Sequence, residues 1–401
     1  MKRYPRIIMV SGNTPPAVDG VCHYTGQLLR QMHTLRPDWE LLWLGRRQRW
    51  FHEPFVTKWN LSVVRPNHTW RPFSTNLTCM LIRLLRPDVL HIQDQVHSFH
   101  QTGAAARLAR AAAGRVITTL HEFHSELPSV SQTVELVGRS KILIANDART
   151  SERCALRTGR VPDFTWWSGT NVTPPDLSWR VREVPFLVTT FGQLSAIKAV
   201  DLVHDALVRV RERRPGVRWQ IVGPLDPVSD PFHADLQRRF SQEWVRFTGG
   251  FEDLEDRGLR TALGSSQLMV LPFADGASPR RTTLQTAWAF GLPVVTTPPE
   301  AKEPNVIDGV NCILVREPTA TAWSEAIERV LADSALRARL RAGSLRTAER
   351  FRWSRLARLH VELYDSFVRG EFPGGMQGVE PHESSLEEGG RPHAELADSG
   401  G

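Results

Sequence analysis

The sequence predicts an α/β protein made of two Rossmann-like, doubly wound parallel-sheet domains that face each other across a cleft. Strand and helix patterns alternate through both halves of the chain, which is typical of right-handed βαβ units and parallel sheets. The chain has 401 residues, enough for two domains of ordinary size. Because the halves meet near 173–184, we expect an N-terminal domain over 1–175 and a second domain over 176–352.

The alternation is regular in both halves. In the first half the predicted strands are 6–11, 40–44, 88–93, 115–120 and 141–146, and the predicted helices are 21–32, 74–85 and 101–113. In the second half the predicted strands are 186–191, 217–222, 244–248, 267–271 and 292–295, and the predicted helices are 200–213, 233–240, 254–263 and 279–290. Ligands of open parallel sheets bind at the carboxyl ends of the strands, so the site is expected in the cleft between the two sheets.

The C-terminal part differs in composition. Residues 320–369 are mostly helical in pattern and rich in Arg, Leu and Ala. Residues 371–401 contain mainly Gly, Glu, Ser and Pro with few large apolar side chains, so this tail is expected to be disordered.

Composition and charge narrow the class of protein without identifying its ligand. The apolar content of 41%, the charged content of 23% and the absence of a long apolar run are those of a soluble globular chain. The apolar run 7–10 is too short for a secretion signal and is interpreted as a first strand, so we expect a cytoplasmic protein. The net charge of +7 favours an anionic partner. A nucleotide diphosphate or an anionic membrane fits this charge, whereas no nucleic-acid-binding signature accompanies it.

The segment 275–297, DGASPRRTTLQTAWAFGLPVVTT, carries the clearest functional signal. It is predicted to form a loop, a helix and a buried strand, with Ser278 as the helix N-cap and Pro279 in the first turn. Arg280 and Arg281 then lie at the positive end of the helix dipole, which disfavours cations. An anionic ligand at the helix N-terminus explains the two arginines. The alternative is a solvated arginine pair in a loop.

This segment resembles the donor site of retaining, GT-B-type glycosyltransferases of family 4. The helix that ends in Gly-Leu-Pro-Val-Val and the DGxSxRR pattern carry the resemblance. In that family a Glu-x7-Glu motif precedes the helix end, and here Ser278 and Thr286 occupy the two Glu positions. The resemblance implies two facing domains, a C-terminal helix over 353–370 that crosses back to the first domain, and a nucleotide-sugar donor. It also implies retention of configuration and no metal or other cofactor.

A second segment, 191–198 (FGQLSAIK), follows a predicted strand and opens a helix. Gly192 allows a close backbone approach to a ligand, and Lys198 can bind a phosphate as a point charge. The segment is similar to the Gly-Arg-Leu…Lys-Gly motif of the same family, in which the Arg and Lys bind the donor diphosphate. Gln193 replaces that Arg, and we expect Arg280 or Arg281 to supply the missing charge. Alternatively, Lys198 is a solvated lysine at a helix start.

In the first domain, Gly20 and His121 are the candidate catalytic positions. Gly20 lies in a loop after the first strand that resembles the family's Gly-rich loop, although it is equally consistent with an ordinary turn. His121 follows a strand and matches a Thr-x-His position that lies near the transferred sugar in family relatives. A packed loop histidine is the alternative. The sequence HEFH also places His124 three residues after His121, but no third ligand at zinc-site spacing is evident.

Two further segments are weaker signals. A basic-aromatic loop from Arg46 to Phe51 (RRQRWF) is compatible with an anionic acceptor or a membrane surface, but an arginine-rich loop is more often simply solvated. Residues 303–311 (EPNVIDGVN) resemble a family turn in which Pro and Glu stand in the opposite order.

Together these features predict a hexosyltransferase acting from a nucleotide sugar on an unknown sugar, lipid-linked or small-molecule acceptor, in the cytoplasm or at the inner face of a membrane. Lys198, Arg280 and Arg281 are expected to stabilise the leaving diphosphate. Ser278, Thr282 and Thr283 are expected to bind phosphate or sugar hydroxyls, with Gly192 beside them. Three other classes stay open: a non-catalytic relative, a nucleotide-sugar epimerase on the same fold, and, on charge alone, a nucleic-acid-binding protein.

Overall fold

The computed structural model contains two β-sheets, each covered by helices on both faces. It describes residues 4–15, 17, 19–47, 55–58, 61–95, 97–124, 126–175, 181–195, 198–249 and 256–371. The tail expected to be disordered lies outside the described residues from 372 onward. No helix of the described ranges combines the length and the apolar character needed to cross a membrane.

The first sheet has eight strands in the order β3-β4-β2-β1-β5-β6-β7-β8. All neighbours are parallel except β3 and β4, which form an antiparallel edge. The strands are β1 (Arg6–Asn13), β2 (Glu40–Arg46), β3 (Phe55–Lys58), β4 (Leu61–Asn67), β5 (Val89–Asp94), β6 (Val116–Leu120), β7 (Ile142–Ala145) and β8 (Phe164–Thr165). The helices are α1 (Gly20–Leu35), α2 (Pro72–Leu85), α3 (Ala104–Ala111), α4 (Val130–Arg139) and α5 (Ala148–Thr158).

The second sheet has six parallel strands in the order β11-β10-β9-β12-β13-β14. They are β9 (Leu187–Phe191), β10 (Arg218–Val222), β11 (Val245–Thr248), β12 (Leu268–Leu271), β13 (Val294–Thr296) and β14 (Ile313–Leu314). The helices are α6 (Val200–Arg213), α7 (Pro231–Arg239), α8 (Arg257–Gly264), α9 (Thr282–Ala289), α10 (Ala320–Ala332), α11 (Ser334–Ala348) and, after a 3₁₀ turn, α12 (Trp353–Arg369).

The central strands are buried on both faces, which explains their continuous apolar sequences. In β1, Ile7 and Met9 pack with α1 and α12, whereas Ile8 and Val10 pack with α2 and α3 on the other face. The second sheet follows the same rule, since alternate residues of β12 enter two different cores. Side chains alternate along a strand, so each strand contributes to both helix layers.

The C-terminal helix returns to the first domain. Leu363 and Tyr364 of α12 belong to the same buried cluster as α1 and β1. The outgoing and returning segments lie side by side, because the Thr170 N–H donates to the Phe351 carbonyl (2.8 Å) and a Cβ on Gly169 would collide with the Trp353 ring. The predicted crossing helix is therefore confirmed.

The predicted strand and helix alternation is confirmed, with local differences. Sequence patterns missed the β3–β4 hairpin and the helices α4 and α5. The helix expected at 254–263 is seen as α8 from Arg257 onward, and 254–255 lie outside the described residues. The last strand of the first sheet ends at Thr165 and the first strand of the second begins at Leu187.

Candidate active site between the domains

The loop between β12 and α9 carries most of the predicted phosphate-binding residues. Ser278 begins a turn that is closed by a bond from the Arg281 N–H to its carbonyl (2.9 Å), and Ser278 Oγ accepts from the Arg280 N–H (3.2 Å). Helix α9 starts only at Thr282, with Arg281 in the N-cap position and no side-chain cap. The predicted N-cap at Ser278 is wrong, because this serine caps the preceding turn. The first N–H groups of α9 are left without a side-chain acceptor.

Five residues near the starts of α6 and α9 form what we call the lysine cluster: Gly192, Lys198, Phe273, Arg281 and Thr283. Lys198 Nζ donates to Thr283 Oγ1 (3.4 Å) and lies 4.5 Å from the centroid of the Phe273 ring. The Arg281 guanidinium lies 5.0 Å from the same centroid. Gly192 has a φ of +117°, and a Cβ built there would be 2.6 Å from Thr283 Cγ2. The fold thus brings four of the predicted phosphate-binding residues together.

Lys198 is a buried cation in this cluster. Its side chain is only 9% exposed, and it forms no ion pair with a described residue. Burial lowers the pKa of Lys198 to about 7; the charge of Arg281 lowers it too, and Asp275 partly opposes both. Two cations share one aromatic ring in a poorly solvated place, so a bound anion would stabilise the ammonium form of Lys198.

The two arginines of the segment have carboxylate partners within the protein. Arg281 pairs with both oxygens of Asp275, and burial is the main cause that lowers its pKa. Arg280 Nη1 donates to Glu122 Oε1 (2.8 Å). The arginines are therefore not a solvated pair, so that alternative interpretation of the segment is wrong. A ligand at this position has to share or replace these carboxylates.

Arg280 and Ser278 link the second domain to the first. Arg280 Nε lies 3.4 Å from Asp147 Oδ2, and Ser278 Oγ donates to the same oxygen (3.2 Å). Glu122 follows β6 and Asp147 follows β7, so both carboxylates come from the carboxyl edge of the first sheet. We call Glu122, Asp147, Ser278 and Arg280 the bridge residues.

A small pocket that is open to solvent lies beside the bridge residues. Both domains contribute to its wall, which consists of Asp147, Arg149, Asp275, Gly276, Ala277, Ser278, Arg280, Arg281, Glu300, Ala301 and Glu303. Across it, Arg149 of α5 pairs with Glu300 of the second domain (2.9 Å). The pocket therefore contains both arginines of the segment and lies at the domain boundary, where facing sheets were expected to place a site.

His121 adjoins the bridge residues through Glu122 and is buried. Its Nε2 pairs with Gln93 Oε1 (2.9 Å) and its Nδ1 with the Asn146 amide nitrogen (3.4 Å). The tautomer that satisfies both partners carries its proton on Nε2. Burial lowers the pKa of His121 to about 4, so the ring is neutral near pH 7. Since both ring nitrogens have protein partners, the expected contact with a sugar stays a prediction.

The structure also locates two other predicted features of the first domain, Gly20 and the start of the basic loop. Gly20 is the first residue of α1, behind the N-cap Asp19, and no described heavy atom lies within 4 Å of a Cβ built on it. Arg46 Nε donates to Asn13 Oδ1 (2.6 Å), which ties the start of the basic loop to β1. Residues 48–51 of that loop lie outside the described residues, so its membrane contact stays a prediction.

In the second domain, the predicted phosphate-binding residue Thr282 begins α9 and is partly buried.

Sequence reasoning missed the carboxylates of the site: Glu122, Asp147 and Glu303. Glu303 had been noted only as part of a turn, yet its Oε1 accepts from the Ala148 N–H at the start of α5 (3.3 Å). Burial, followed by the charge of Asp147, raises the pKa of Glu303 to about 7. Glu122 lies two residues after the predicted strand 115–120, and Asp147 directly follows the predicted strand 141–146; that position was the available signal.

The histidines near the cleft have partners other than a metal ion. His124 contacts Glu122 (2.9 Å) and Glu126 (3.0 Å), and its ring packs edge-on against His97. Within the described ranges, no group of three or more His, Cys, Asp or Glu side chains has a geometry that could hold a metal ion.

Comparison with known families agrees with this architecture. Residues 185–333, from β9 through α10, match the family model described as glycosyl transferases group 1. This range contains the lysine cluster and the whole DGxSxRR segment. The match thus lies within the second domain.

Curated glycosyltransferases match this chain over part of their length. A D-inositol 3-phosphate glycosyltransferase of Nocardioides sp. is 25% identical over 186 residues, which are 43% of this chain and 40% of that protein. The lipopolysaccharide core biosynthesis glycosyltransferase LpsE of Rhizobium meliloti is 32% identical over 154 residues, 38% of this chain and 42% of that protein. The chain thus spans about two fifths of these two relatives.

Solved structures match the glycosyltransferase fold over nearly the whole chain. A glycosyltransferase from Rickettsia africae has a TM-score of 0.69 at 14% identity, covering 91% of this chain and 99% of that one. Anabaena HepE, solved in complex with UDP-glucose, has a TM-score of 0.66 at 16% identity, covering 90% and 99%. The two-domain GT-B fold expected from the sequence is therefore confirmed.

Proposed function

We propose that this protein is a glycosyltransferase that moves a hexose from a nucleotide-sugar donor to an acceptor, with the donor diphosphate at the lysine cluster. The observation that carries the proposal is Lys198, a buried ammonium with no carboxylate partner among the described residues. It lies over the same aromatic ring as Arg281 and beside a helix start without a side-chain cap. Buried cations and free N–H groups together favour a phosphate.

In this proposal the chemistry is mainly electrostatic. Negative charge builds on the diphosphate as the bond to the sugar breaks, and preorganised cations at that place lower the barrier. Lys198 is held against Phe273 and Arg281 is held by Asp275, so both cations are positioned before the donor binds, and the donor shares Arg281 with Asp275. Thr282 and Thr283 lie at the N-terminus of α9, where phosphate oxygens are best stabilised.

The carboxylate missing from position 278 has a substitute in this proposal. Ser278 occupies the place of the first acid of the family motif, and its hydroxyl donates to Asp147. Asp147 thus brings a buried carboxylate to that place from the facing domain. We assign to Asp147 the role of interacting with the donor sugar as positive charge develops at its anomeric carbon.

The finer features follow the family resemblance. They are retention of configuration, catalysis without a metal, and an acceptor that is a sugar, a lipid-linked molecule or a small molecule. UDP is the first nucleotide to test, because the related fold of Anabaena HepE was solved with UDP-glucose.

The test is thermal stabilisation by UDP, GDP, ADP and TDP in the absence of metal. A nucleotide present at about one hundred times its dissociation constant adds about 2.7 kcal/mol to the free energy of unfolding. One of the four is expected to stabilise the wild type and to have no effect on Lys198→Ala. Lys141→Ala is the matched control, since Lys141 is exposed and precedes β7, away from the carboxyl edge of the sheet.

The alternative is a GT-B relative that binds a partner and has lost catalysis. The serine and threonine at the two acid positions favour it; Thr286 is fully buried within its domain. If none of the four nucleotides stabilises the wild type, or if Lys198→Ala responds as the wild type does, the donor site proposed here is wrong and the alternative is preferred.

A further inference from the structure

Helix α2 exposes a row of large apolar side chains. Its members are Phe73 (79% exposed), Leu77 (43%), Met80 (63%) and Leu84 (78%). They follow one another at intervals of three or four residues, so they lie along a single face of the helix. We call these four side chains the apolar row.

The face of α2 that packs on the domain does not use the apolar row. Its buried residues are Thr75, Thr78, Cys79 and Ile82, and the partly buried Leu81 and Leu85 also pack against the core. In an ordinary surface helix the apolar stripe faces the core and the polar residues face water. Because α2 is apolar toward water as well as toward the core, packing within the domain does not explain the apolar row. A contiguous exposed apolar surface of this kind marks an interaction site.

Arginines flank the apolar row. Arg71 directly precedes α2, Arg83 lies in its last turn and Arg86 follows it. All three are exposed, and none forms an ion pair with another residue in the part of the chain that is described. The sequence between Glu53 and Asp88 contains no acidic residue. This face therefore combines apolar side chains with uncompensated positive charge.

We propose that α2 docks the protein on an anionic lipid membrane, with the apolar row in the interfacial region and the arginines against lipid phosphates. A helix that carries large apolar side chains on its outer face and cations at both ends is typical of interfacial binding. A second copy of this chain fits less well. A symmetric contact between two α2 helices would bring arginines of both copies together, and the segment offers no acid to compensate them.

The position of α2 agrees with the weaker sequence signal for a membrane. The Arg47 N–H donates to the Asn67 carbonyl (2.9 Å), so the basic loop after β2 starts beside the end of β4, which leads into α2. The membrane face inferred here rests on α2 alone, and it does not depend on the proposed transferase activity.

The test is co-sedimentation of the full chain with vesicles. We expect binding to vesicles of equal parts phosphatidylcholine and phosphatidylglycerol, and little binding to phosphatidylcholine alone. Leu77→Gln with Met80→Gln is expected to weaken binding by roughly tenfold or more, since two apolar contacts with the interface are lost. Arg83→Gln is expected to weaken it about fivefold.

Matched controls use exposed residues of the same types elsewhere. Leu156→Gln changes an 87% exposed leucine of α5 in the same domain. Arg213→Gln removes an exposed arginine from the last turn of α6. Both are expected to bind as the wild type does, and all variants are expected to unfold at the wild-type temperature because their side chains are exposed.

Several outcomes would overturn the proposal. They are no sedimentation of the wild type with anionic vesicles, equal binding to neutral vesicles, and equal binding by the Leu77→Gln/Met80→Gln variant. A dimer in solution that this double variant converts to a monomer, without vesicle binding, would assign the face to a second copy instead.

Discussion

Lys198 is a residue whose charge is disfavoured in the folded chain. Its pKa falls from 10.5 to about 7, chiefly through burial. Between these two values the unfolded chain binds more protons than the folded one, so this residue makes the free energy of unfolding rise with pH. Its destabilising effect is complete below pH 7 and vanishes above 10.5. Destabilising groups of this kind are common where a ligand binds.

We therefore predict that Lys198→Met stabilises the ligand-free protein. Each unit of lowered pKa corresponds to about 1.4 kcal/mol. We expect the variant to recover half of the free energy that corresponds to the whole shift, which raises its free energy of unfolding by roughly 2 kcal/mol near pH 6. The gain should shrink toward pH 10, where the wild-type lysine is neutral in the fold. Denaturant unfolding at the two pH values measures this, with Lys141→Met as the exposed control. A loss of stability at both pH values would contradict the assigned environment of Lys198.

Asp147 has two roles at the residue scale. One oxygen caps α5 by accepting from the Thr150 N–H (2.7 Å), and the other receives the Ser278 hydroxyl. Asparagine is as good an N-cap as aspartate, so Asp147→Asn keeps the cap and removes the charge.

For Asp147→Asn we predict unchanged stabilisation by the nucleotide and roughly a hundredfold slower turnover of the nucleotide sugar. The comparison is Asp230→Asn, which changes the cap of α7 in the same way and should leave turnover intact. Release of the free nucleotide from its sugar conjugate provides the rate. Normal turnover by Asp147→Asn would show that its carboxylate does not act on the sugar.

At the scale of elements, the site depends on two strand-to-helix connections, β9 to α6 and β12 to α9. The first contributes Gly192 and Lys198, and the second contributes Arg281 and Thr283. The two connections meet because β9 and β12 are neighbouring parallel strands. Gly192 lies against Thr283, with a left-handed φ and no room for a Cβ.

Gly192→Ala is predicted to destabilise the protein by about 1–3 kcal/mol. It should also weaken nucleotide stabilisation, because Thr283 has to move away from Lys198. Gly138→Ala provides the opposite case, since Gly138 lies in α4 with nothing near its Cβ position, and alanine there should stabilise by up to about 1 kcal/mol. Thermal unfolding of both variants tests this pair. A stable Gly192→Ala with normal nucleotide response would mean that the turn tolerates a side chain.

At the scale of the whole molecule, the domains are joined by two chain crossings and by charged contacts across the cleft. Helix α12 follows the second domain in the sequence, but it completes the core of the first domain through Leu363 and Tyr364. The carboxylates Glu122 and Asp147 reach Arg280 and Ser278 from the facing domain. Opening of the cleft would therefore separate charges as well as surfaces.

Leu363→Ala is predicted to lower the free energy of unfolding by about 2–4 kcal/mol, since it creates a cavity between α12 and the first domain. Val368→Ala on the same helix changes a partly exposed side chain and should cost less than about 0.5 kcal/mol. Nucleotide stabilisation should persist in both, because α12 lies outside the lysine cluster. Equal stability of the two variants would contradict the packing of α12 described above.

Much of this arrangement could be predicted from local patterns. Buried strands such as β1 and β12 are recognisable because both faces are apolar, and Gly192 and Lys198 follow a strand in a pattern similar to a known family. The β3–β4 hairpin and helices α4 and α5 were missed because their apolar positions are few or mixed with polar ones. The N-cap at Ser278 was wrong because a serine can cap a turn as readily as a helix.

The sequence by itself determines the order of strands and helices, the division into two sheets and the cations of the site. The order of elements can be recognised because buried side chains recur along the sequence with the period of a strand or a helix. The partners of those cations are not determined in this way. Glu122 and Arg280 are separated by 158 positions, and an ion pair depends on distance in space, which only the packing of two domains defines. The same packing buries Lys198, lowers its pKa and places Asp147 beside Ser278, while it leaves the apolar row of α2 uncovered.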